Sequence, residues 1–218
     1  MIIVIQCAGR KRSGAGHLLS ASAKPIIFVA DPGCAPPDPD YEYARPDDLS
    51  GRGVSWRQEL VEYNAEARSN PLALYPAYEL YANKTYGRLV NRFGLQSVYI
   101  LSAGWGLLKA DFLTPYYDIT FCQRAKPYQR RRKADDYKDL CMMARETDEE
   151  IVFFGGKDYL DLFGAVTSAI RSRKTVFYNS ISVPKVTGCT LTRFETTTKT
   201  NWHYECANAF LAGAVRIL

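Results

Sequence analysis

Four short segments of this chain pair a small-residue turn with side chains that bind anions or move protons. The first is Gln6-Cys7-Ala8-Gly9-Arg10-Lys11-Arg12, directly after the apolar run Ile2 to Ile5. A strand that ends in a glycine and cations presents backbone N–H groups and positive charge to a phosphate or a base edge. The pattern GxxxxGK[ST] is absent, so this is not a P-loop, and an ordinary turn with exposed cations accounts for it equally. The second is Ser102-Ala103-Gly104-Trp105-Gly106, followed by Asp111 and by Pro115-Tyr116-Tyr117-Asp118. An indole between glycines stacks on a planar ring where the backbone lets one approach, although a core tryptophan closing a sheet edge is the simpler reading. Asp118 follows three ring residues, and a carboxylate in such a setting is costly unless it is paired or used. The third is Gly155-Gly156-Lys157-Asp158-Tyr159, where Asp158 reads as a helix N-cap. The fourth is Thr198-Lys199-Thr200-Asn201-Trp202-His203, which enters the last helix at the end where an anion is stabilised. His203 there is as well suited to a site as to the core.

Positioning such loops together takes strands that end at a common edge. Ile2–Ile5, Pro25–Ala30, Ser97–Leu101, Glu150–Phe154, Thr175–Ser182 and Thr190–Thr198 read as strands. Helices are expected over 56–68 with Ser55 as N-cap, within 70–94 ending at Gly94, over 135–147, over 160–173 and over 204–218. Apolar strand, glycine loop and helix recur three times or more, which predicts a single-domain, three-layer α/β/α fold over 1–218 with a central, mostly parallel sheet. In such folds, sites form where loops leave the carboxyl ends of the strands. Residues 31–53, DPGCAPPDPDYEYARPDDLSGRG, are dense in proline and turn formers and read as a surface insertion or flap rather than a core element.

Composition narrows the classes. Apolar residues make up 47% of the 218, enough for a packed core. No apolar run approaches the roughly 18 residues of a membrane helix, so no membrane is expected. The apolar start with charges behind it reads as a buried strand rather than a secretory signal, so the expectation is cytoplasmic. Six cysteines without CxxC spacing and only two histidines predict reduced thiols, no metal and no cofactor. The net charge of +5 resides in Arg124–Lys133, RAKPYQRRRK; without those six cations the chain has 22 basic against 23 acidic residues. One local patch on a near-neutral protein is the pattern of a phosphate-contacting surface, against the plainer reading of a solvated loop.

Taken in order, VIQCAGRKR, PAYELY (Pro76–Tyr81), LSAGWGLL (Leu101–Leu108), PYYDITF (Pro115–Phe121) and FFGGKDYLDLF resemble blocks of the group around the bacterial peroxide-stress protein YaaA. That group has lysines where this chain has Tyr78 and Gly104. The arrangement also resembles the uracil-DNA glycosylase architecture, and through it antiphage DNA glycosylases that excise glucosylated cytosine. The resemblance implies DNA binding, a base-binding loop at Gln6–Lys11 and a histidine-bearing loop at His203.

The reading that follows is a monomeric DNA glycosylase acting on a modified base flipped out of double-stranded DNA. Asp118, with Asp111 in reserve, would activate water or balance the charge on the sugar, and His203 with Asn201 would stabilise the departing base. Gln6, Cys7, Ser102, Gly104, Trp105, Tyr116 and Tyr117 would contact the base. Arg10, Lys11, Arg12, Arg124, Arg130, Arg131, Arg132, Lys133 and Lys199 would grip phosphates. The alternatives are a non-catalytic DNA-binding stress protein, and a nucleoside hydrolase or deoxyribosyltransferase.

Overall fold

The computed structural model describes residues 1–66 and 69–217. Its elements in chain order are β1 (Ile2–Gln6), β2 (Ile26–Val29), β3 (Glu42–Ala44), α1 (Trp56–Glu66), β4 (Tyr75–Pro76), α2 (Thr85–Phe93), β5 (Val98–Ser102), β6 (Gly106–Lys109), β7 (Leu113–Thr114), β8 (Tyr117–Asp118), β9 (Leu140–Cys141), β10 (Ile151–Phe154), α3 (Leu160–Val166), β11 (Lys174–Tyr178), β12 (Thr190–Arg193) and α4 (Trp202–Leu211). Seven strands form the central sheet in the order β12-β11-β10-β1-β5-β6-β9, and every pair is parallel except β5–β6. The expected α/β architecture with a mostly parallel sheet is therefore present.

Both faces of the sheet are covered, which is why its central strands are apolar throughout rather than alternating. Phe153 and Phe154 are neighbours on β10 and point to opposite faces. Phe154 packs on Phe177 and on Phe210 of α4, with centroids 5.3 and 5.4 Å away, while Phe153 stacks on Phe163 of α3 at 4.4 Å. On α2, Tyr86, Leu89 and Val90 form the buried stripe, and Gly94 at φ +84° ends the helix as expected. Ser55 Oγ accepts from the Gln58 N–H, the expected cap of α1.

Four expectations about helices differ from the structure. Residues 70–84 are not helical: Pro76 pairs in β4, and the Asn70 side chain both accepts from the Leu74 N–H and donates to the Leu74 carbonyl. The helix expected over 135–147 is absent. Leu140 and Met142 instead donate to the carbonyls of Trp105 and Leu107, because the open edge of β6 offers partners that a helical propensity does not outweigh. The helix expected over 160–173 stops at Val166, where the Thr167 hydroxyl donates to the Phe163 carbonyl at 2.7 Å. The last helix runs over Trp202–Leu211 and ends near Gly213 at φ +73°. The expected ends of α1 (67–68) and of the last helix (218) lie outside the described residues.

The proline-rich segment lies largely on the surface over 31–42 and is tied to the fold after that. Its β3 pairs with β2, Ala44 is buried, and Asp47 forms a two-pronged pair with the buried Arg57, whose guanidinium also donates to the carbonyls of Gly104 and Trp105. No helix among the described residues is long and apolar enough to cross a membrane.

Candidate functional site

The chain runs from β1 to β5 on one side, continues outward to β6 and β9, and then returns to β10 on the other side of β1. The loops after β1 and β10 must therefore diverge, and the space between them is where an open α/β sheet binds ligands. A cleft of about 1170 Å³ lies there, floored by Gln6 and Cys7 at the end of β1, by Gly155 and Gly156 after β10, and by Tyr178 and Asn179 at the end of β11. Gly155 is obligatory, since a Cβ there would sit 2.2 Å from the Phe153 ring. The Gln6 carboxamide oxygen accepts from the Gly156 N–H at 2.6 Å, which fixes the side chain across the cleft floor. Its Nε2 makes no hydrogen bond to a described residue and remains a free donor.

Behind the floor lies a web of hydroxyls. Cys7 Sγ is 3.2 Å from the Tyr159 hydroxyl and accepts from the Ala103 N–H. Tyr81 and Tyr117 share a hydrogen bond of 2.7 Å, Ser102 donates to Tyr117, and Tyr86 bridges the Gln6 carbonyl and Tyr204. Burial drives the phenols of Tyr81, Tyr86, Tyr117 and Tyr159 well above their usual range, so all four stay protonated and act as fixed dipoles.

The charges on the cleft walls are uneven. Arg10, Arg124, Lys157 and Lys199 line it, and none forms an ion pair among the described residues. The lining residues include a single carboxylate, Asp158. The N-cap role expected for Asp158 is not observed: the short turn Lys157–Tyr159 starts from Gly156 with no side-chain cap, and the carboxylate has no hydrogen-bond or ion-pair partner among the described residues. Asp158 also borders a neighbouring groove of about 270 Å³ lined by Phe121, Gln123 and Arg130–Lys133. It therefore stands where the cleft meets a groove bordered by Arg130 and Arg132.

His203 lines the far wall in the first turn of α4, where Asn201 takes the left-handed conformation (φ +61°) and provides no side-chain cap. The imidazole is 3% exposed, and burial pushes its pKa down to about 4, so it is neutral at physiological pH. Its Nε2 is buried without a partner, an arrangement that costs roughly 1–3 kcal/mol unless something supplies one.

The expected site residues separate into groups. Gln6, Cys7, Arg10, Arg124, Lys199, Asn201 and His203 meet at the cleft. Arg130, Arg132 and Lys133 line the adjoining groove, where Lys133 pairs with Asp161. Arg12 is exposed on the surface outside both, and Lys11 is half-buried with its ammonium 4.0 Å above the Tyr117 ring. Burial lowers the Lys11 pKa, against the pull of Cys7 and Asp118.

The remainder are placed elsewhere. Arg131 is buried, pairs through two hydrogen bonds with Asp139, donates to the Ala103 carbonyl and lies 3.8 Å over the Tyr137 ring, so it is committed to the fold. Trp105 has no exposed surface and packs edge-on against Phe28, which leaves no face for a base. Ser102, Gly104 and Tyr117 are likewise sealed in the core. Tyr116 is half-buried beside His17, outside the cleft lining. Asp111 lies at the opposite rim of the sheet, because β6 runs antiparallel to β5 and brings its end back to Val98. Asp118 is not among the cleft-lining residues; it accepts from the Gln129 amide on the small sheet β3-β2-β8, while Thr120 and Phe121, just beyond it, face the cleft.

Asp158 is the functional candidate that sequence reasoning put aside. The one signal for it is the double glycine after an apolar strand, which equally marks a helix start. Among the described residues no cluster of histidine, cysteine or carboxylate side chains is arranged to hold a metal. The chain matches no protein-family model, no curated protein and no solved structure.

Proposed function

We propose that this chain hydrolyses the N-glycosidic bond of a modified base in DNA. The observation that carries the reading is Asp158: an unpaired carboxylate between a cleft large enough for a nucleotide and a groove bordered by Arg130 and Arg132. A flipped nucleotide placed with its base in the cleft and its flanking phosphates along Arg130 and Arg132 brings its sugar to Asp158. The C1′–N bond then breaks as a C1′–O bond forms from water. Asp158 takes the water proton and offsets the positive charge on the sugar. The departing base carries negative charge, which the free Gln6 Nε2, the four unpaired cations and the neutral His203 ring are placed to stabilise.

The test is incubation of the protein with ordinary and phage-modified DNA, followed by alkali, which breaks strands at abasic sites. Glucosylated cytosine is the first modified base to try. Breaks are expected with the wild-type chain, falling about 10²- to 10⁴-fold in Asp158→Asn and persisting in Asp118→Asn. Intact strands across a wide panel of modified bases would overturn the proposal. Salt-sensitive DNA binding without base release would leave a binding protein, and turnover of free nucleosides with Arg130 and Arg132 dispensable would move the activity to the nucleoside level.

A further inference from the structure

The cleft passes over the end of the central sheet from one face to the other. Phe153 and Phe154 hold α3 and α4 against opposite faces. Lys157 and Asp158, before α3, line one end of the cleft, and Lys199–Tyr204, at the start of α4, line the other. At that second end the backbone is unusual. Asn201 is left-handed (φ +61°, ψ +14°), a conformation that asparagine tolerates better than most residues, and Trp202 after it is helical. A left-handed residue followed by a right-handed one turns successive N–H groups toward a common point, a concavity that holds anions. Here those groups belong to Asn201, Trp202 and His203. The Tyr204 N–H donates to the Asn201 carbonyl at 3.0 Å, whereas the three before it make no hydrogen bond to a described residue.

We propose that the start of α4 is a subsite for an oxyanion, a phosphate or a carboxylate carried by the ligand, at the opposite end of the cleft from Asp158 and the groove of Arg130 and Arg132. Two observations besides the backbone point to a ligand there. The His203 imidazole lines the same wall and is 3% exposed, and its Nε2 is buried without a partner. Lys199, two residues before the turn, is exposed, lines the cleft and forms no ion pair among the described residues. No carboxylate of the chain fills the subsite: Glu205, the acid in the first turn of α4, accepts from the Thr196 hydroxyl at 2.7 Å and is not among the lining residues. Three free N–H groups, the positive end of a helix dipole and one unpaired ammonium suit a compact anion with several acceptor oxygens. The subsite is independent of the reaction at Asp158.

The experiment titrates the isotope-labelled full chain with inorganic phosphate at neutral pH and constant ionic strength, with chloride as the control, and follows the backbone amides by NMR. Resonances of Asn201, Trp202 and His203 are expected to move saturably with phosphate and not with chloride, a readout that needs no variant. Asn201→Gly keeps the left-handed turn and should bind phosphate about as the wild type does. Asn201→Val, whose branched side chain opposes that turn, should bind about tenfold or more weakly, and Lys199→Ala roughly 3- to 10-fold more weakly. Amides that phosphate leaves unmoved, or that move equally in Asn201→Val, would overturn the subsite. Deoxycytidine 5′-monophosphate and 5-carboxy-2′-deoxycytidine, each compared with deoxycytidine, then locate the charge. A gain in affinity from the 5-carboxyl that disappears in Lys199→Ala places the oxyanion on the base. The same pattern from the 5′-phosphate places it on the sugar, and a gain from neither would overturn a charge carried by the ligand. Phosphate binding with no base released from any DNA defeats the glycosidic reading alone, and base release with unmoved amides defeats the subsite alone.

Discussion

Arg130, Arg131 and Arg132 are consecutive and identical in sequence, and the structure gives the middle one a different task. Arg131→Ala would leave the half-buried Asp139 carboxylate without its two-pronged partner and the Ala103 carbonyl without its donor, and would strip the cation from the Tyr137 ring. Breaking one side of a buried pair costs about 3–5 kcal/mol. For a chain of this size, each kcal/mol moves the melting temperature by about 2–4 °C, so a drop of roughly 6–20 °C is expected. Arg131→Lys should recover only part of it, because an ammonium cannot make the two parallel bonds. Arg131→Met combined with Asp139→Leu should recover most of it, since that pair of changes removes the stranded charge. Arg130→Ala and Arg132→Ala should stay within about 0.5 kcal/mol of wild type. Each should instead lower the salt slope of oligonucleotide binding by about 0.9 for every phosphate that the arginine neutralises. Thermal melts and salt titrations of the three single variants decide the matter. An Arg131→Ala protein that melts with the wild type and loses affinity as Arg130→Ala does would refute the assignment.

Other outcomes follow from the same geometry. Burial holds the His203 pKa near 4 against an unfolded value near 6.5, so the unfolded chain binds the proton first and stability falls as pH drops through that window, by up to roughly 3 kcal/mol. Denaturant melts at pH 7 and 4.5 should show that loss diminished in His203→Leu, and identical pH slopes in the two proteins would dismiss it. Gly106→Ala should destabilise by at least about 2 kcal/mol, because φ is +91° and the new Cβ would lie 2.4 Å from the Leu140 carbonyl oxygen; an unchanged melting temperature would contradict this. Brief alkylation of the native chain should label Cys34, Cys122 and Cys141 while sparing Cys7 and Cys206 until unfolding, as read by mass spectrometry of the peptides. Early labelling of Cys206 would mean that α4 does not pack as described.

The apolar runs at Ile2–Ile5, Ser97–Leu101 and Glu150–Phe154 were legible as strands because a strand buried on both faces must be apolar at every position. Gly94 and Ser55 were legible as helix ends because caps are local chemistry, settled within four residues of chain. From these alone the α/β class followed, and with it the expectation that chemistry sits at the strand ends. What the chain order cannot encode is which loops meet. Asp111 and Asp118 stand close to Trp105 in sequence, yet the antiparallel β5–β6 hairpin carries Asp111 to the far rim and the small sheet turns Asp118 away from the cleft. Asp158 and His203 come together with Gln6 because β1, β10 and β11 lie side by side and their ends open on one cleft. The same holds for burial: Trp105 and Arg131 have the residue types of a binding surface, and packing by Phe28, Tyr137 and Asp139 takes them into the interior. Local patterning determines which segments form strands and helix caps, while a residue's access to solvent and to its distant neighbours exists only once the sheet has assembled.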